Sequence, residues 1–179
     1  MQCKKIKPNV DRYHLRFHYE DDPDMYHRCM WANIYLDHDT FTLFANTDCG
    51  DYSYSWPVSE HETFLHLMSR IDVNYLLSKI ATKSMFNLKA SKEQMIQAIL
   101  EYDEGIKSND KRLAQIIDID DCSSEDMFYI AVAWITNDLC DFEINIIKEY
   151  QANAKTFGEV FIEYLQPILR SNDVTMITK

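Results

Sequence analysis

Residues 41–56, Phe-Thr-Leu-Phe-Ala-Asn-Thr-Asp-Cys-Gly-Asp-Tyr-Ser-Tyr-Ser-Trp, constrain the fold more than any other stretch. Two runs of period-two alternation flank a turn. Phe41, Leu43 and Ala45 share one face, with Thr42, Phe44 and Asn46 opposite; Tyr52, Tyr54 and Trp56 share a face, with Asp51, Ser53 and Ser55 opposite. This is the pattern of paired strands with one face to bury. Residues 46–50 turn readily, and Gly50 can take positive φ without a Cβ penalty. Pro57 stops the strand. Ser59-x-x-Glu62 has the spacing of a capping box and predicts a helix opening at Ser59.

Residues 13–19 alternate as well, with Tyr13, Leu15, Phe17 and Tyr19 on one side and His14, Arg16 and His18 on the other. They read as the first strand, residues 31–36 as the second, and the acidic stretch with Pro23 between them as a turn. Short loops make the order a four-stranded antiparallel meander over 10–57. Beyond it the period becomes helical. A connection over 59–88 carries Asp72 as the cap of a short helix, and a mostly helical lobe is expected over 89–179. Its predicted helix starts are Ser91-x-x-Gln94, Ser123 or Ser124 before Glu125, and Thr156-x-x-Glu159. Met127, Phe128, Ile130, Ala131, Trp134 and Ile135 are expected to pack one broad helix face, helical character to continue through Phe142 and Ile146, and Pro167 to bend or end the last helix. Strands first and helices after give a single α+β domain with helices on one sheet face.

Composition decides among classes. With 46% hydrophobic residues but only three Gly and four Pro, the chain is globular rather than linker-like. No apolar run is long enough for a membrane span, and the basic N-terminus lacks an apolar core to follow it, so a cytoplasmic protein is expected. Five scattered Cys without Cys-x-x-Cys fit a reducing compartment. Charge is uneven. Within residues 101–143, Lys107, Lys111 and Arg112 stand against twelve acids, leaving −9 of the total −11. The acids are Glu101, Asp103, Glu104, Asp110, Asp118, Asp120, Asp121, Glu125, Asp126, Asp138, Asp141 and Glu143. Phosphates would be repelled, so direct nucleic-acid binding is not expected; a basic protein surface would be attracted. The alternative is a solvated face that serves solubility.

Chemistry-bearing clusters are sparse. His14 and His18 share a strand face but stand about 13 Å apart by strand rise. His27-x-Cys29 has no second pair at zinc-site spacing. Neither a metal nor a cofactor is therefore expected. Asp37-His38-Asp39 at a hairpin tip, joined by Asp48 and Asp51 near the next turn, could place carboxylates and an imidazole around a divalent ion, as in a hydrolytic centre. Asp118, Asp120 and Asp121 alternate like cation ligands but lack the Gly and closing Glu of an EF-hand. With three Gly in the chain, phosphate-cradling loops are nearly excluded. The row Tyr52, Tyr54, Trp56 lacks the interleaved Lys or Arg of a base-stacking platform, and reads as core or as a partner-facing row.

Gly50-Asp51-Tyr52-Ser53-Tyr54-Ser55-Trp56, followed by Ile71-Asp72 and by Tyr75-Leu76-Leu77-Ser78-Lys79-Ile80, resembles a pattern in uncharacterised phage and prophage proteins, G-D-Y-x-Y-x-W and then D-x-x-Y-L-L-x-K-L. The likeness covers residues 33–80. It implies an accessory protein of a mobile element, a group that includes inhibitors of host defence such as anti-CRISPR proteins. On that reading the chain is a non-enzymatic inhibitor whose acids, Asp118, Asp120, Asp121, Glu125 and Asp126 with Glu101, Asp103 and Glu104, block a basic nucleic-acid channel. The partner is a host complex, a Cas nuclease or its guide-RNA complex. Two rivals stay open: a metal-dependent nuclease or hydrolase using Asp37, His38 and Asp39, and a phage structural or regulatory protein that forms a homodimer through its sheet face.

Overall fold

A computed structural model describes residues 3, 5–59, 61–102, 111–120 and 122–177. The chain is α+β and divides into two compact units, one of Met1–Thr82 with Tyr150–Lys179 and one of Lys83–Glu149. The lobe expected over 89–179 is therefore shorter, because the C-terminal helices belong to the core of the N-terminal sheet.

In the first unit, strands β1 (Val10–Arg16), β2 (Trp31–Asp37), β3 (Thr42–Thr47) and β4 (Gly50–Ser55) form an antiparallel meander in that order. β1 starts and ends three residues earlier than its alternation suggests. Cross-strand neighbours carry the inward face: Tyr13 opposes Ile34, Ile34 opposes Ala45, and Ala45 opposes Tyr52. Ala32, Ile34, Leu36 and Leu43 are fully buried there. The segment expected to be only a turn holds a short helix, α1 (Pro23–Arg28). Asp22 caps it by accepting from Met25 N at 2.9 Å, and Pro23 sits at the first position, where no N–H is needed.

Gly50 has φ +133, and a Cβ there would lie 2.7 Å from Tyr52 Oη. The glycine thus permits both the turn and the return of Tyr52, whose hydroxyl donates to Cys49 O at 2.9 Å. Past Trp56, the helix does not open at Ser59. Helix α2 (Phe64–Arg70) is capped by Thr63, which accepts from His66 N at 3.1 Å, while Ser59 O only closes a turn with Glu62 N. Asp72 caps α3 (Val73–Ile80) as expected, accepting from Tyr75 N.

The chain returns to this unit in α7 (Ala152–Glu159), a π-helical stretch (Val160–Leu165) and α8 (Gln166–Ile177). Thr156 lies inside α7, not at its cap. Pro167 neither ends nor breaks the helix. The widened turns before it, with Gln166 N bonded to Phe161 O five residues back, precede the position where Pro lacks an N–H and its ring crowds the preceding turn. Phe157, Val160, Phe161, Leu165 and Leu169 are fully buried, and Phe157 stacks on Tyr52 at 4.5 Å. Gln166, 1% exposed, donates to Met68 O and Ile71 O, and Arg170 donates to Ser69 O. These bonds satisfy carbonyls that the end of α2 leaves without helical partners.

In the second unit, β5 (Met85–Phe86) pairs with β6 (Lys148–Glu149), and α4 (Leu88–Tyr102), α5 (Lys111–Ile117) and α6 (Glu125–Ile135) follow one another between them. α4 begins earlier than the Ser91 box predicts, because Asn87 caps it by accepting from Ala90 N at 2.9 Å. Ser91 is buried and its hydroxyl accepts from Ile147 N instead. Helix does not continue through Phe142 and Ile146; α6 ends at Thr136, and residues 142–147 run without regular structure into β6. Met95, Ile99, Leu113, Ile116, Phe128 and Val132 form the buried core.

Candidate functional site

α6 is apolar all round, and the core around it is small. At 100° per residue, Phe128, Ala131, Val132 and Ile135 turn inward. Phe128 and Val132 are fully buried. Met127, Ile130 and Trp134, expected in the same packed face, point outward with Tyr129. Their exposures are 50%, 57%, 75% and 51% for Met127, Ile130, Trp134 and Tyr129. Full burial of one such side chain would contribute about 1.5–3 kcal/mol, so four exposed together forgo a sizeable stabilisation. Such a face marks an interaction surface more often than an accident of folding.

Tyr129, Ile130, Ala133, Trp134 and Asn137 line an apolar depression of about 290 Å³. Trp134 and Asn137 also border a wider, charged one of about 600 Å³, with Lys111, Arg112, Gln115 and Asp138. Trp134 stands between an apolar and a polar surface.

The acids predicted to act together are not equivalent. Glu125 pairs with Lys148 at 2.7 Å, Asp120 lies 3.4 Å from Lys92 Nζ, and Asp138 bonds Arg112 at 3.2 Å. Lys92 also donates to Ile119 O at 2.9 Å, which ties it to the end of α5. Asp118 and Asp126 are exposed and make no ion pair among the described residues. Asp126 heads the outward face of α6, one turn before Ile130. Glu125 and Asp126 also lie in the first turn of α6, where a carboxylate is favoured by the helix dipole. Glu101 is exposed at the end of α4. Asp103, Glu104 and Asp121 lie outside the described residues.

Asp37, His38 and Asp39 are held in structural bonds. Asp37 Oδ1 accepts from Asp39 N at 2.9 Å and from Thr40 N at 3.2 Å. Burial opposes ionisation of Asp37, yet these bonds and that of the Thr40 hydroxyl outweigh it and hold the carboxyl below its usual range. Asp39 accepts from Asn9 N, and His38 Nε2 lies 3.0 Å from Asp11 Oδ2. Asp48 and Asp51 do not join them. A meander alternates its turns between sheet ends: Asp37 opposes Thr42, whereas Asp51 opposes Asn46, four residues further along β3 and so about 14 Å away. Among the described residues no three His, Cys, Asp or Glu side chains converge as a metal site. His38 and Asp11 do border a cavity of about 420 Å³ with Phe41, Glu62, Thr63 and Phe64. Phe41 is in the left-handed region at φ 52, an uncommon conformation for an aromatic residue.

The sequence matches the profile of a family described as a phage family over residues 2–171. The chain belongs to this phage family. The match extends far beyond residues 33–80, where the G-D-Y-x-Y-x-W likeness lies. No curated protein and no solved structure matches the chain. No helix among the described residues is long and apolar enough to cross a membrane.

In this phage protein the row Tyr52, Tyr54, Trp56 is core: Trp56 is 3% exposed and Tyr54 meets it edge-on at 4.8 Å. Sequence reasoning missed the outward half of α6. The one available signal was the absence of a polar face: between Glu125 and Ile135 only Asp126 is charged inside the helix.

Proposed function

We propose that this phage protein is a non-enzymatic inhibitor of a host nucleic-acid-handling defence complex such as a Cas effector, and that it acts by covering a basic protein surface. The observation that carries the reading is Trp134, 75% exposed at the centre of an apolar helix face headed by exposed Asp126, which makes no ion pair among the described residues. Large aromatics at the centre of a contact supply most binding energy, while charges at the rim steer approach and set the choice of partner. The partner surface would hold a pocket for Trp134 and Ile130, edged by Lys or Arg facing Asp126 and Asp118. Glu125, Asp120 and Asp138 contribute less, because each already has a cation beside it. Charge mimicry is thus the lesser part of the mechanism and the apolar anchor the greater.

The test is plating of a targeted phage on hosts with an active CRISPR system, with and without this protein. Restored plating is expected, falling at least about tenfold with Trp134→Ala and by less with Asp118→Lys and Asp126→Lys together. No restoration against any effector class tested contradicts the reading.

The rival is a nuclease or hydrolase in which Asp37, His38 and Asp39 hold a divalent ion; the cavity beside His38 and Asp11 borders neither Asp37 nor Asp39, and no such cluster converges among the described residues. Cleavage of a nucleic-acid substrate that is lost with chelator and with His38→Gln would establish it; no cleavage with added Mg²⁺ or Mn²⁺ removes it.

A further inference from the structure

Cys29 and Cys49 take no part in the α6 surface. Cys29 follows α1, where its N–H closes the last turn on Met25 O at 2.7 Å. Cys49 is the second residue of the two-residue turn between β3 and β4, since Thr47 opposes Gly50. Twenty residues separate the two cysteines, and folding brings their sulfurs to 3.4 Å with both side chains buried. Cys49 Sγ also lies 3.2 Å from Thr47 Oγ1, and Cys29 Sγ lies 3.4 Å from Trp31 O.

We propose that Cys29 and Cys49 are a redox site: a hydroperoxide converts the pair to an intramolecular disulfide that ties the end of α1 to the β3–β4 turn. The two thiols have different roles. The 3.4 Å contact with Cys29 draws the Cys49 thiol down to about 7, against the effect of burial, while the same contact and burial push Cys29 up. Cys49 is therefore the attacking sulfur, because the thiolate is the nucleophile. It attacks the terminal peroxide oxygen, the O–O bond breaks, and an alcohol leaves (water, for hydrogen peroxide). Cys49 is now a sulfenic acid. Cys29 attacks that sulfur, its proton leaves with the hydroxyl as water, and the S–S bond forms. The two thiols give up two hydrogens and two electrons, and the peroxide is reduced.

The sulfurs must close from 3.4 Å to about 2 Å, a movement within reach of side-chain rotation. Access is through the turn. Asp48 at its tip is exposed, and reaching Cys49 requires a local opening that releases Asp48 from Met30 N, from which it accepts at 2.7 Å. Burial excludes bulkier thiols, so the bond forms within one chain rather than between two. Exposed Cys3 and Cys140 are internal controls.

The experiment is hydrogen peroxide treatment of the folded full chain, then proteolysis and mass mapping without reductant. The expected product is a Cys29–Cys49 linked peptide, reversed by dithiothreitol, and a higher melting temperature for the oxidised chain. Cys29→Ser should leave Cys49 as a sulfenic acid trapped by dimedone, and Cys49→Ser should leave Cys29 a thiol. Should either variant fail to fold, the wild-type peptide map alone decides. Oxidation of Cys3 and Cys140 with Cys29 and Cys49 still thiols overturns the proposal, as does a cross-link between chains. Dimedone capture at Cys29 in Cys49→Ser overturns the assigned roles.

Discussion

Trp56 in one unit and Trp134 in the other are treated in opposite ways. In the sheet unit, Trp56 is 3% exposed and packs against Tyr54 and Phe64; in the Lys83–Glu149 unit, Trp134 is 75% exposed in mid-helix. The difference follows from what each has to bury against. Four strands and the returning α7 and α8 offer the first unit an extended core. Among the described residues, the second has three helices and a two-residue ladder, and its six fully or nearly fully buried apolar residues use only half of α6. The first unit buries Trp56 and Phe157; the second leaves apolar side chains of α6 exposed.

The sharpest contrast comes from truncating one aromatic in each unit. Phe157→Ala removes a fully buried ring stacked on Tyr52 and should cost about 3–5 kcal/mol in urea unfolding. Trp134→Ala should change stability by no more than about 0.5 kcal/mol. Equal costs would mean that Trp134 is core after all. Gln166→Leu should cost about 1–3 kcal/mol, because Met68 O and Ile71 O lose a buried donor. Gly50→Ala belongs to the same range, about 1–3 kcal/mol, since Ala must adopt φ +133 against Tyr52 Oη. Thermal melts of both variants check this; unchanged melting would refute the turn's role.

A smaller effect separates the units by pH. Burial, with the nearby Cys49 thiol, raises Tyr52 to about 12, and the hydrogen bond to Asp22 raises Tyr164 to about 12 from an ordinary 10. A raised folded-state value means the stabilisation is complete below pH 10 and is lost as pH rises through about 12. The same bond, with that from Met25 N, lowers Asp22 below its ordinary 3.8, so its contribution is present above that pH and fades as pH falls through the lowered folded value. All three groups lie in the sheet unit. Alkaline titration should weaken the sheet unit in that window, read from the Trp56 environment. A Tyr164→Phe variant should flatten part of the alkaline loss.

Much of the sheet was legible because period-two alternation is a local signal. Residues 42–47 and 50–55 reported their own faces, and the turn chemistry of Gly50 agreed with them. Helix starts were less legible. Ser59, Ser91 and Thr156 all head the right spacing, but a cap requires the chain to leave the helix at that residue, and Thr63, Asn87 and Gln151 are where it does. The return of α7 and α8 to the sheet could not be read at all, since it depends on Tyr52 meeting Phe157 across more than a hundred residues. The acidic run was legible as charge but not as surface: Lys148, Lys92 and Arg112 had to be placed before Glu125, Asp120 and Asp138 could be set aside. Trp134 reads as inward from the sequence because an apolar residue at helical spacing is usually core, and the small size of its unit is not a sequence-local property.

The most direct test of the account compares Trp134→Ala with wild type in the plating assay while the melting temperature of each is recorded. The account predicts unchanged melting with protection reduced at least about tenfold. Full protection by a stably folded Trp134→Ala protein would contradict it.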